Sequence, residues 1–220
     1  PELIRMFTSE MYGQAPPRPK EMRFEVFDID KNALNGKATR KQIAVYFNGK
    51  ADGPRMDLLM YVPNHLQRPV PAILGLNFWG NHAVHPDPAI RLTTSWVESG
   101  KGNPYVKLSC VTDHRATEAC RGVNAVQWPI DTIIARGYAL ITAYREDIAS
   151  DDAKTGFQKG VHPIYPEYQG RADNFGTIAA WAWALSRAMD YVVTDKAIDA
   201  KRVAVFGWSR LGKAALWAGA

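Results

Sequence analysis

One turn near residue 207 constrains this chain more than any other feature. The run Val203-Ala204-Val205-Phe206 ends at Gly207, Ser209 follows two residues later, and a small-residue apolar stretch, Ala214-Ala215-Leu216-Trp217-Ala218, begins soon after. A strand that passes straight into a helix through Gly-x-Ser leaves the serine hydroxyl exposed above a sheet, as serine hydrolases present their nucleophile. A serine alone is a poor nucleophile and needs a base and oxyanion donors. The backbone N–H of Arg210, at the start of the following helix, is a natural donor. The second glycine, Gly212, stands three residues after the serine, not two as in the usual G-x-S-x-G. Arg210 puts a guanidinium where a tetrahedral intermediate would form, and Lys213, one turn on, can reach a bound substrate. The plain alternative is that both cations are merely exposed helix residues.

The sequence upstream predicts what such a turn requires. Residues 23–29, 42–47 and 56–62 are short, β-rich, alternating segments bounded by turn signals, which read as an antiparallel meander. Residues 71–77 and 138–144 are apolar throughout, like strands buried on both faces. Helical spacing recurs over 125–136, before Gly137, and from Phe175 to Val192 with Asp173 as N-cap. Strand and helix then alternate, which implies right-handed crossovers in a parallel sheet flanked by helices. The expected fold is α/β, an α/β-hydrolase three-layer sandwich with a mixed, mostly parallel sheet whose C-terminal part is absent. Residues 1–220 would be the N-terminal portion of one catalytic domain, with residues 1–20, rich in proline and charge, as a lead-in wrapping the surface. Two polar excursions run over 78–122 and 145–170; loops as long as the first are usually functional or disordered, and Trp79, Trp96 and Trp128 argue that it is ordered.

Lys plus Arg number 27 against 22 acids, a net +5, but the charges are dispersed and form no basic stripe with interleaved aromatics. That composition predicts no nucleic-acid partner. No apolar run approaches the roughly 20 residues of a membrane span. No ligand cluster at metal spacing and no glycine-rich phosphate loop appears, so neither metal nor cofactor is expected. Cys110 and Cys120 are wrongly spaced for a metal; they could staple a loop in an exported protein, remain free, or pair elsewhere.

Five histidines, His65, His82, His85, His114 and His162, all precede Ser209, whereas in this fold the base comes from a later loop. None is expected to be the base, and His82 is expected to organise its loop by hydrogen bonding. Trp79 and Trp128 read as packing residues rather than sugar platforms. Asp147, Asp151 and Asp152 read as a solvated acidic turn.

The heptapeptide Gly207-Trp208-Ser209-Arg210-Leu211-Gly212-Lys213 resembles the G-x-S-R-x-G-K signature of the glucuronoyl esterases, carbohydrate esterase family fifteen. Further segments resemble the bacterial branch: residues 76–82 with Asp87-Pro88, residues 156–162, 179–190, 198–203 and 213–220. The likeness spans about residue 55 to 220. It implies a secreted or periplasmic serine esterase, without cofactor, acting on 4-O-methyl-glucuronate esters that link xylan to lignin alcohols. By that resemblance Ser209 is the nucleophile, Arg210 serves the oxyanion hole with side chain and backbone, and Lys213 holds a sugar hydroxyl. Trp208 stands where this branch often has histidine. The family's catalytic histidine and acid follow the serine, yet the eleven residues after Ser209 include no His, Asp or Glu. Both are therefore expected from a C-terminal segment of about 150–200 residues or from a companion chain. The alternatives are another carboxylesterase or acetyl esterase of the same fold, or a non-catalytic carbohydrate-binding relative.

Overall fold

The structure, a computed structural model, describes residues 2–66, 69–99, 109–152 and 154–220. A short helix, α1 (Glu2–Phe7), and a π-helical turn lead into β1 (Arg23–Ala33), β2 (Ala38–Tyr46) and β3 (Arg55–Pro63). These three pair antiparallel in succession, as the alternating segments predict. Then come β4 (Val70–Asn77), a small hairpin of β5 (Val111–Thr112) and β6 (Arg115–Ala116), and α2 (Ile130–Ala135). β7 (Ala139–Tyr144), α3 (Thr177–Val192), β8 (Ile198–Phe206) and α4 (Ser209–Ala218) follow.

The main sheet runs β1-β2-β3-β7-β4-β8. β7 pairs antiparallel with β3 and parallel with β4, and β4 pairs parallel with β8. Among the described residues the mixed sheet thus has three antiparallel pairings and two parallel ones.

Alternation decides which face each side chain serves. Leu58 and Met60 join Leu74, Ile141, Trp181 and Leu211 in the larger core, beneath α3 and α4. Leu59 and Tyr61 point the other way, into a second core with Leu140, Trp128, Ile130 and Ile134 of α2. Helices on both faces make the three layers. β3 is consequently buried along almost its whole length, not on one face as its sequence pattern implies. The residues before and within α2 cover its second side. Trp128 is thus a packing residue, and Trp79 packs against the larger core.

Two helix boundaries differ from expectation. The predicted helix over 125–136 is a 3₁₀ turn at Ala125–Gln127 followed by α2, because Pro129 separates the two and Val126 faces solvent. α3 starts at Thr177 after Gly176, not at Asp173. The Asp173 carboxylate instead accepts from Arg171, and its carbonyl accepts from the Gln14 N–H at 2.8 Å. That bond and the stacking of Tyr12 on Trp217 of α4, centroids 4.7 Å apart, tie residues 12–14 to α4 and to the segment before α3.

The first long excursion is ordered in its described parts. Gln42 of β2 accepts from the Arg91 N–H and donates to the Ala89 carbonyl. Cys110 and Cys120 form a disulfide across the β5–β6 hairpin, which selects one of the three possibilities the spacing leaves open. Residues 100–108, in the same excursion, lie outside the described residues. No described helix is long and apolar enough to cross a membrane.

Candidate active site

β8 ends at Phe206 and α4 begins at Ser209, so the reversal is made by Gly207 and Trp208 alone. Trp208 is extended, and Ser209 adopts φ +55°, a left-handed conformation that costs a non-glycine residue about 1–3 kcal/mol. The strain projects the exposed serine off the end of the sheet. A side chain at Gly207 would stand 2.3 Å from the Leu211 carbonyl oxygen, whereas one at Gly212 would meet the Gly207 carbonyl at 3.2 Å. The two glycines therefore face each other, so a second glycine at the third position after the serine still serves the close approach. Gly207→Ala is expected to destabilise the full-length protein by about 2–3 kcal/mol, lowering its melting temperature by roughly 2–4 °C. Gly212→Ala should cost less than half of that, and paired thermal denaturation curves check the order.

Arg210 lies in the first turn of α4. Its Nη1 donates to Asp151 Oδ2, and its guanidinium sits 5.9 Å from the centroid of Phe78. Lys213 is exposed and has no ion pair among the described residues. It shares a helix face with Ser209 one turn away. The structure thus brings Ser209, Arg210 and Lys213 together at one end of one helix.

The loop after β4 forms a wall beside the elbow, with Phe78 packed edge-on to Trp208 at 5.3 Å. Its hydrogen bonding comes from asparagines, not from His82. Asn77 Nδ2 donates to Asn81 Oδ1 at 2.7 Å and to Thr142 Oγ1 at 3.1 Å, while Asn77 Oδ1 accepts from the Gly80 N–H at 2.8 Å. Both His82 ring nitrogens are buried without a partner. The His82 backbone carbonyl, not its ring, contributes to holding the loop, accepting from the Gly122 N–H at 2.9 Å.

Burial or local contacts engage four of the five histidines. Burial pushes His82 and His162 down to about 4, so both are neutral, and His162 stacks on Phe175. His114 stacks on Trp96 and contacts the Val97 carbonyl, and His85 Nδ1 accepts from the Asp87 N–H. His65 follows β3, whose far end lies beside the start of β7, opposite the elbow.

The expected acidic turn is solvated only at Asp152, which accepts from the Lys154 N–H and Thr155 Oγ1. Asp151 is engaged by Arg210. Asp147 is partly buried, with Oδ1 accepting from Ser95 Oγ at 2.5 Å. It borders two adjoining cavities of about 750 and 210 Å³ that also share Arg55 and Ser95. Burial pushes its carboxyl up to about 7. A raised folded value means the native state holds a proton that the unfolded chain releases near pH 4. Stability is therefore lost as pH rises from about 4 to 7, on the order of 2 kcal/mol after allowing for partial solvation. Asp147→Asn should remove that decline, so its melting temperature should gain more over the parent at pH 8 than at pH 5. Among the described residues no group of three or more His, Cys, Asp or Glu is arranged to hold a metal.

Asn77, Asn81, Phe78, Arg145 and Asp151 are site residues that sequence reading does not assign. Asn77, a polar residue closing an apolar strand, is the clearest signal, and Phe78 and Asn81 fall with it in the resembling segment 76–82.

Comparison with known proteins agrees with this geometry. The family profile described as "Glucuronyl esterase, fungi" matches residues 104–220, more than half of the chain. The curated "Carbohydrate esterase MZ0003", from an unknown prokaryotic organism, is 44% identical over 223 residues, spanning 100% of this chain and 49% of that protein. A 4-O-methyl-glucuronoyl methylesterase of Schizophyllum commune is 31% identical over 113 residues, 44% of this chain and 29% of its own. The solved glucuronoyl esterase from Solibacter usitatus superposes with a TM-score of 0.88 at 41% identity, over 100% of this chain and 54% of that one. A promiscuous esterase of carbohydrate esterase family fifteen from a marine bacterial metagenome gives 0.83 at 42%, over 99% and 53%. The chain spans about half the length of these fuller relatives, and their α/β-hydrolase-like fold is the one its sheet and helices adopt. On the match across residues 104–220, a range that includes β8, the elbow and α4, the chain belongs to the glucuronyl esterase family.

Proposed function

We propose that the protein hydrolyses esters of 4-O-methyl-glucuronate with lignin alcohols, through an acyl-enzyme on Ser209. The observation that carries this reading is the positive φ of Ser209 between two mutually close glycines, followed directly by Arg210. Strain of this kind persists only where the surroundings enforce it, and it is used to present a reacting group.

In the proposed mechanism Ser209 Oγ attacks the ester carbonyl carbon while a histidine base takes its proton. Negative charge then gathers on the former carbonyl oxygen. The Arg210 N–H and guanidinium face that charge, and Lys213 holds a hydroxyl of the sugar. Collapse breaks the bond to the alcohol, which leaves with the proton from the histidine. Water, deprotonated by the same base, attacks the acyl-enzyme and frees the uronic acid and Ser209. The histidine and its acidic partner are proposed to come from polypeptide beyond this chain, a further segment or a companion. Two features support this: the outer edge of β8, which exposes Val205 and Phe206, and relatives of about twice the length. On this reading residues 1–220 are part of a single catalytic domain.

The Cys110–Cys120 disulfide supports a secreted or periplasmic location, since such bonds persist in oxidising compartments. Assay of the full-length protein on benzyl glucuronate and on an acetylated sugar tests the substrate class. Turnover of the glucuronate ester is expected, and hydrolysis of the acetyl ester alone would assign a different esterase.

A further inference from the structure

Three neighbouring strands, β7, β4 and β8, end along one edge of the sheet, and each delivers a residue to the same small cluster. Arg145 follows β7, Phe78 follows β4, and Arg210 lies just beyond β8. Two guanidiniums share the Phe78 ring, with Arg145 Cζ at 5.5 Å and Arg210 Cζ at 5.9 Å from its centroid. They also share one carboxylate oxygen. Asp151 Oδ2 accepts from Arg210 Nη1 and lies 3.1 Å from Arg145 Nη1.

The far side of the cluster is buried. The Arg145 and Glu146 side chains are each 2% exposed and paired with one another. Arg145 also lies over the Trp181 ring at 5.5 Å, and Glu146 Oε1 accepts from the Asp151 N–H at 3.2 Å. Asp151 is thus fixed through its backbone by Glu146 and through its carboxylate by Arg145. Arg210 differs: its side chain is 47% exposed at the start of a surface helix. An exposed ion pair adds little stability, and a free arginine side chain carries much rotamer entropy. A donor to developing charge acts best when it is already oriented before the reaction.

We propose that Asp151 is a positioning residue, anchored by Arg145 and Glu146, that holds the Arg210 guanidinium in place for the oxyanion. This rests on the proposed roles of Ser209 and Arg210. One bidentate-capable carboxylate on Arg210 Nη1 leaves the remaining guanidinium N–H groups for the substrate. The cluster has two guanidiniums and two carboxylates, so the charge on Arg210 is balanced locally instead of repelling buried Arg145.

Two readouts on the full-length protein test this. The first is nitrogen-detected NMR of arginine side chains, which needs no turnover. Arg210, assigned by its loss in Arg210→Lys, should show hindered rotation about its Cζ–Nε bond in the parent and averaged signals in Asp151→Asn. Averaged signals in the parent, or no change in Asp151→Asn, would overturn the clamp whatever the enzyme hydrolyses. The second is a double-mutant cycle on benzyl glucuronate. Asp151→Asn should lower kcat about 10- to 30-fold with KM within about threefold, and should cost less than about threefold once Arg210 is already methionine. An equal loss in both backgrounds would show that Asp151 acts independently of Arg210. Loss of parental turnover would count against the esterase reading alone, because the NMR result still decides the clamp.

Discussion

Ser209→Ala is expected to lower kcat on a glucuronate ester by about 10⁴-fold or more, because the acyl-enzyme has no other oxygen on which to form. The residual rate should be that of oriented donors acting on bound substrate and water. The substitution removes one exposed hydroxyl, so the fold should persist. Alanine keeps the Cβ that already tolerates the left-handed turn, and the melting temperature should move by no more than about 2 °C. A glycine at the same position would relieve the strain instead, so Ser209→Gly should be equally inactive and slightly more stable. Steady-state kinetics with matched denaturation curves separates lost chemistry from lost folding.

Arg210→Met should be the next most damaging change. Methionine retains the α4 backbone and its N–H donor but removes the guanidinium proposed to face the developing charge. Loss of one preorganised oxyanion donor costs about 10²- to 10³-fold in kcat, roughly 3–4 kcal/mol, and KM should change little. Arg210→Lys keeps the charge without the planar fork that pairs with Asp151, so it should recover only part of the rate. If the guanidinium served ground-state binding instead, KM would rise while kcat held. A pair of saturation curves distinguishes the two.

Local signals made much of this architecture legible. The elbow could be read because glycine, serine and small helix-forming residues follow one another within a few positions of a β-branched run. The meander could be read because its turns announce themselves. Lys213 was predicted beside Ser209 by helix periodicity alone.

Long-range chemistry was less visible. Asp151 is 59 residues from Arg210, and nothing in a run of acids tells which will be drawn into an ion pair and which will face water. Asp147 went to a cavity wall, Asp151 to Arg210, and Asp152 to its own turn. The cap expected of Asp173 failed for a similar reason: Arg171 and the lead-in backbone at Gln14 compete for the same residue. His82 looked like a hydrogen-bonding loop residue, but neighbouring asparagines hold the loop and leave its ring packed and neutral. Two-sided burial of β3 depends on α2 and Trp128, more than sixty residues downstream, so its own alternation could not reveal it.

The central claim is that Ser209 is the acylated nucleophile. Its most direct test is to treat the full-length protein with a fluorophosphonate and map the adduct by mass spectrometry. One adduct per protein is expected, on Ser209, with benzyl glucuronate hydrolysis lost in proportion to labelling. Full inactivation with the adduct on another residue, or undiminished hydrolysis by protein fully labelled at Ser209, would contradict the account.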